Sequence, residues 1–218
     1  MTAALLSFWL ITLSGALSPG PLTATALTLG AKRGFWSGPK MALGHALVEA
    51  PLAFGLTYGL GLWLKQPPIV AAIGIAGSLF LLWMAYGMLK DAIDARTSLR
   101  ALEREALEEG DKSTTGEAIV AGALLSVSNP YWVLWWATLG ATYILKITPF
   151  GLLGLVILYL GHWSVDLIWL SLMSFATSSG KGLLGDRGYR LLLGVNGLFL
   201  LFFGIYFAWN GWSTLIRL

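Results

Sequence analysis

The sequence contains no cysteine, so it forms no disulfide, offers no thiolate to a metal and has no thiol redox chemistry. It is also short of charge: 11% of its 218 residues are Asp, Glu, Lys or Arg, against about 25% in a soluble domain. No Lys or Arg precedes Lys32. The apolar N-terminus, where Ala16-Leu17-Ser18 loosely resembles a cleavage site, therefore lacks the basic flank of a signal peptide and reads as a retained first membrane span. What is abundant is apolar: 56% of the residues are hydrophobic, and there are 27 glycines, 11 tryptophans and 7 tyrosines. A soluble fold of this size could not cover so much apolar surface, whereas a bilayer can. Glycine lets membrane helices approach closely, and Trp and Tyr suit the two interfaces. The net charge of +3 reads as loop topology and not as nucleic-acid binding.

A span needs roughly 20 apolar residues. Six stretches qualify: Ala3–Ala31, Met41–Leu64, Ile69–Leu89, Ala118–Leu145, Thr148–Thr177 and Leu191–Ile216. The first, fourth and fifth are longer than one straight span, so tilt or a break must absorb the excess. The one long polar segment, Asp91–Glu117, holds eight of the eleven acidic residues together with Arg96, Arg100, Arg104 and Lys112. Leu99, Leu102 and Leu107 give it one apolar stripe, as in a solvated linker lying on the membrane surface, with a regulatory or partner-binding role as the alternative. The loops after spans one, three and five carry eleven basic residues; those after spans two and four and the C-terminus carry three (Lys65, Lys146, Arg217). The positive-inside rule puts the odd loops in the cytoplasm and both termini outside. The chain is expected to be one membrane domain, residues 1–218, with a first repeat over about 1–90, a linker over about 91–117 and a second repeat over about 118–218.

The repeat rests on three features recurring in order. Ser18-Pro19-Gly20-Pro21 in span one matches Ser128-Asn129-Pro130 in span four. Gly44-His45-x-x-x-Glu49 in span two matches Gly161-His162-x-x-x-Asp166 in span five. Gly74-x-x-Gly77 in span three, with Tyr86 further on, matches Gly194-x-x-Gly197 in span six, with Tyr206 further on. The offsets are 111, 117 and 120 residues. Three spans is an odd number, so the second copy enters the membrane upside down, the inverted-topology arrangement of many secondary transporters.

Tyrosine aside, the ionisable residues within the six stretches are Glu49, Asp166, His45 and His162. Each costs several kcal/mol on an isolated helix at the bilayer centre. Each His lies four residues before its acid, so the two share a helix face. Three readings follow: proton or substrate coupling, with Glu49 and Asp166 leading and the histidines tuning them; a bound divalent cation ligated by all four; or hydrogen-bonded glue between helices. Pro19, Gly20 and Pro21, and Asn129 with Pro130, interrupt spans one and four at matched positions. Proline removes a donor, and backbone broken at membrane depth lines a cavity or is buried in protein. These five residues are expected to shape a central substrate site. Pro51 is expected to bend span two beside Glu49. Tyr131, Trp132, Trp135 and Trp136 are packing rings or pocket walls, and Asn196 reads as interhelical glue.

Ser18-Pro-Gly-Pro21 followed by basic Lys32-Arg33, the glycine-spaced second span, Asn129-Pro130 and Gly197-Leu-Phe-Leu-Leu resemble the LysE/RhtB family of amino-acid exporters over nearly the whole chain. By position, Glu49 stands where many members carry an Asp. Gly140 stands near the place where members often have a proline, and the paired His/acid motifs depart from the family pattern. The resemblance implies outward transport of amino acids or similar small metabolites across the cytoplasmic membrane, driven by protons, without a cofactor and without catalysis. The partners are then a small solute, protons and lipid, not nucleic acid, and self-association stays open. The rivals are a divalent-cation exporter using the two histidines and two carboxylates and, more remotely, an intramembrane metal-dependent hydrolase. The fold class expected is all-α, six spans in a 3+3 inverted repeat with the first and fourth broken.

Overall fold

A computed structural model of the chain describes residues 2–17, 20–94, 98, 99, 101, 102, 104, 116–178 and 185–217. Among them the regular structure is helical, with no strand. Helices satisfy their backbone groups internally, as a chain in lipid must. The first apolar stretch divides into α1 (Thr2–Ala16) and α2 (Pro21–Arg33), and the second into α3 (Ser37–Leu56) and the short α4 (Leu60–Leu64). The third is α5 (Pro67–Ile93). The fourth is α6 (Gly116–Val127), α7 (Pro130–Trp135), a π-helical turn (Trp136–Gly140) and α8 (Ala141–Ile147). A 3-10 turn (Thr148–Phe150) leads into α9 (Gly151–Thr177), and α10 (Gly185–Leu215) closes the chain.

Three runs are long and apolar enough to cross a bilayer: Pro67–Ile93, Pro130–Thr177 and Gly185–Leu215. The second, at 48 residues, would be about 72 Å long if straight, more than twice the roughly 30 Å of a hydrocarbon core. It is not straight. Gly151 has φ 66°, a conformation that favours glycine. The rings of Trp136 and His162 lie 4.8 Å apart, where a straight helix would separate those residues by about 39 Å. The run is therefore a helical hairpin that turns at Thr148–Gly151. In the first stretch the helix is cut into pieces of 15 and 13 residues. α3 opens on polar Ser37 to Lys40, carries His45 and Glu49, and continues through Pro51 to Leu56.

Glycine sets how closely these helices pack. Gly74 lies against Phe207 and Gly211, Gly204 against Leu82, and Gly197 against Leu89. Positions rise along α5 as they fall along α10, so the two run antiparallel. α3 and α9 are antiparallel as well: Trp163 donates to the Ala42 carbonyl at 2.8 Å and Tyr159 to that of Ala46 at 2.9 Å. α3 and α6 cross so tightly that a Cβ on Gly44 would overlap the Ile119 carbonyl, and one on Gly122 that of Met41. Outward, the helices present large apolar side chains such as Leu6, Trp83, Leu124, Leu152, Leu191, Phe202 and Trp209, all exposed. Apolar surface of that extent belongs in a membrane.

The three basic segments share one end of the molecule. Arg33 at the end of α2 approaches Glu117 on α6 at 3.6 Å. Lys32, Asp91, Ser98, Leu102 and Tyr189 line one cavity of about 480 Å³ there. Much of the polar linker lies outside the described residues, including Arg96, Arg100, Leu107 and Lys112. Of the rest, Leu99 is not solvated but buried with Ala31, Met88, Tyr189 and Leu193, and its amide donates to the Asp186 carboxylate at 2.9 Å.

Candidate functional site

The two helix breaks are built differently. At the first, Ser18 and Pro19 lie outside the described residues. Gly20 is extended, and Pro21 takes the first position of α2, where its missing N–H costs nothing. The Gly20 amide donates to Asn196 Oδ1 at 2.8 Å, and Asn196 anchors itself by donating to the Leu192 carbonyl. Asn196 is thus the expected glue, and what it ties to α10 is the break itself. At the second, the Asn129 side chain caps its own helix by accepting from the Tyr131 amide at 3.0 Å, with Pro130 at the first position of α7. Without a Cβ, Gly77 on α5 leaves room for the Pro130 ring.

α3 and α9 bring the four ionisable residues of the spans together. His45 Nε2 lies 2.9 Å from Glu49 Oε1, and His162 Nε2 lies 3.1 Å from the same atom. Asp166 Oδ2 is 3.8 Å from His45 Nε2 and 3.5 Å from His162 Nε2. Two indoles complete the shell: Trp136 Nε1 donates to Glu49 Oε1 at 2.8 Å and Trp132 Nε1 at 3.1 Å. Glu49 is fully buried. A carboxylate survives there only because these groups replace the water it has lost.

Outer contacts orient the imidazoles. His45 Nδ1 lies 2.6 Å from Ser126 Oγ, whose own proton goes to the Gly122 carbonyl at 2.6 Å. Ser126 can then only accept from the ring, so Nδ1 carries a proton and Nε2 is turned toward the carboxylates. His162 Nδ1 pairs with the Thr12 hydroxyl at 2.9 Å. His162 also packs among Phe8, Trp135 and Trp136.

This cluster walls a cavity of about 80 Å³, room for several waters or a small solute. Gly20, Pro21 and Asn129 join the four ionisable residues and Trp132, Trp135 and Trp136 in its lining. Pro130 does not; it faces Gly77 instead. Three buried polar atoms in residues of the wall have no hydrogen-bond partner among the described residues: Glu49 Oε2, Asp166 Oδ2 and Trp135 Nε1. Two acceptors and one donor are therefore left for a ligand. Sequence reasoning did not single out Ser126 or Thr12. A hydroxyl in an apolar stretch is an ordinary satisfied residue until the fold sets an imidazole beside it.

Comparison with known proteins gives a consistent result. The model of the LysE type translocator family matches residues 13–211. The chain is 26% identical over 215 residues to the "Putative amino acid efflux protein YcgF" of Bacillus subtilis (strain 168), covering 97% of this chain and 98% of that protein. No solved structure matches it.

Proposed function

The chain belongs to the LysE type translocator family, and we propose that it exports amino acids or closely similar small metabolites across the cytoplasmic membrane in exchange for protons. It is a membrane transporter by family; the substrate class, the coupling ion and the orientation are our reading. The observation that carries this reading is Glu49, whose one oxygen joins α3 to α7, the π-helical turn and α9 at the wall of the cavity between the two breaks. A carboxylate held by two imidazoles is a group that can take up and release protons as the surroundings change. The three atoms without a hydrogen-bond partner suit a zwitterion, with its ammonium against Glu49 Oε2 and Asp166 Oδ2 and its carboxylate toward the Trp135 N–H. The N-terminal end of α2, whose Gly20 to Thr23 line the cavity, adds a partial positive charge for that carboxylate.

The architecture proposed with it is six spans in a 3+3 inverted repeat. In support, α3 pairs with α9 and α5 with α10, each a first-half element beside its second-half counterpart, and each half has one helix broken at a proline. With the odd-numbered basic loops in the cytoplasm, the larger cavity at that end becomes an entry vestibule on α2, α5 and α10. Membership of a translocator family favours transport over an intramembrane hydrolase. The deciding experiment is a screen of labelled amino acids in proteoliposomes with and without an imposed pH gradient. Gradient-dependent movement of at least one amino acid is expected. Indifference of every amino acid to the gradient, with protein shown to be folded and inserted, refutes the coupling.

A further inference from the structure

The four ionisable side chains of the cavity form a compact set of two nitrogen and two oxygen donors, and we infer that they bind one divalent transition ion of the zinc class. The donors are His45 Nε2, His162 Nε2, Glu49 Oε1 and Asp166 Oδ2, and one such atom from each residue lies within 4.8 Å of all the others. Zinc–nitrogen and zinc–oxygen bonds of about 2.0–2.2 Å set the ligands of a tetrahedral site roughly 3.3 Å apart. The four His-to-carboxylate separations, 2.9, 3.1, 3.5 and 3.8 Å, bracket that value. Gathering the donors around a tetrahedral ion needs shifts of a few tenths of an ångström in these four pairs, with the two remaining pairs, His45 with His162 and Glu49 with Asp166, brought to the same spacing.

The outer shell has the form that metal sites use. A ligating histidine nearly always donates its other ring N–H to an oxygen, which fixes the tautomer. Ser126 does this for His45, because its own proton is spent on Gly122, and the Thr12 hydroxyl stands in the same position for His162. Ligating carboxylates are themselves hydrogen-bonded, and Glu49 Oε1 receives the Trp132 and Trp136 N–H groups. Asp166 Oδ2 has no hydrogen-bond partner among the described residues and is available as the fourth ligand. Charge points the same way. Among the described residues no Lys or Arg lies in the cavity wall, so an ion that displaced the protons shared between the imidazoles and the carboxylates would meet two neutral nitrogens and two negative charges, which a single divalent cation balances. Two nitrogens and two carboxylate oxygens suit zinc and its neighbours better than magnesium or calcium, which prefer an all-oxygen shell.

The assignment does not depend on which solute is exported. One consequence does rest on the coupling reading: an ion held by these atoms excludes protons from them and a substrate ammonium from Asp166 Oδ2, so zinc should inhibit efflux.

The test uses the full chain, purified in detergent and stripped with a chelator, titrated with zinc in competition with a chromogenic chelator and separately with cobalt. We expect one zinc per chain and the intense visible bands of four-coordinate cobalt. Asp166→Asn, which keeps the side-chain shape, should weaken binding at least tenfold. Ser126→Ala removes no ligand and should weaken it by about 10–100-fold. Size-exclusion profiles report whether each variant is folded. Failure to bind zinc stoichiometrically, the pale spectrum of six-coordinate cobalt, or affinity unchanged in folded Asp166→Asn and Ser126→Ala would each overturn the site. Stoichiometric binding with efflux indifferent to zinc upholds the site and refutes the coupling reading. Gradient-driven efflux from protein that binds no zinc does the reverse.

Discussion

Four nitrogen atoms converge on Oε1 of Glu49, two from imidazoles and two from indoles, while Oε2 has no partner among the described residues. The asymmetry separates two jobs within one carboxyl group: Oε1 is tied to the imidazoles and indoles, and Oε2 is left for the substrate ammonium. Glu49→Gln keeps the shape but cannot cycle a proton. It should abolish gradient-driven efflux in proteoliposomes and leave equilibrium exchange of labelled substrate intact. Normal gradient-driven transport by Glu49→Gln combined with Asp166→Asn would leave interhelical packing as the better account of the four residues. Trp136→Phe tests the held oxygen. It removes the shortest N–H bond to a buried anion, a loss of about 1.5–3 kcal/mol, and the variant should melt earlier in detergent than wild type. Reading the sequence identified the four ionisable residues because charge in an apolar stretch is conspicuous. It left the indoles as packing rings or pocket walls, because a Trp in a membrane helix has many ordinary uses and its N–H partner is visible only once α3 and α7 are brought together.

At the scale of elements, the helix breaks were readable and the joints between helices were not. Pro19-Gly20-Pro21 and Asn129-Pro130 announce their interruptions through the donors that proline lacks, and the described helices do stop at Ala16 and Val127 and resume at Pro21 and Pro130. The π-helical turn over Trp136–Gly140 has no comparable signal. Its position makes sense only in three dimensions, where the Trp136 ring occupies the space a Cβ on Gly140 would need and reaches Glu49 from there. The burial of Leu99 was equally hidden, since a leucine every few residues in a charged segment describes a surface helix as well as an anchored one. Glycines differ in the same way. Gly44→Ala should collapse the α3–α6 crossing, because the added methyl meets the Ile119 backbone, which cannot rotate aside. The cost should reach or exceed the upper end of about 1–3 kcal/mol and appear as loss of monodisperse protein. Gly87→Ala on α5 meets nothing within 4 Å and should be neutral or stabilising by about 0.5–1 kcal/mol. Equal behaviour of the two variants would mean that the tight crossing is wrong.

For the whole molecule the open quantity is which way it sits in the membrane, and two independent observations bear on it. The sequence has eleven basic residues in the loops after the first, third and fifth spans against three elsewhere, a bias that under the positive-inside rule predicts a cytoplasmic position for those loops. The fold gathers the ends of those loops: Arg33 meets Glu117, Leu99 meets Asp186, and Lys32, Asp91 and Tyr189 line one cavity. Charge bias alone could come from a chain whose basic loops lay on both sides; gathering alone would say nothing about which side. Together they require that labels on those segments behave as one set. The absence of cysteine makes the chain its own background for the measurement, because any introduced thiol is the only one. Lys32→Cys and Arg190→Cys in intact cells should resist a membrane-impermeant maleimide and react once the membrane is opened. Lys65→Cys and Lys146→Cys, both exposed, should react from outside. A reporter active only in the cytoplasm, fused after Leu218, should stay silent. The reverse pattern throughout would invert the molecule and make the cavity beside Asp91 an exit. A mixed pattern, with position 32 on one side and 190 on the other, would contradict the fold itself, since Lys32 and Tyr189, the neighbour of position 190, line one cavity and cannot be divided between two faces of a bilayer.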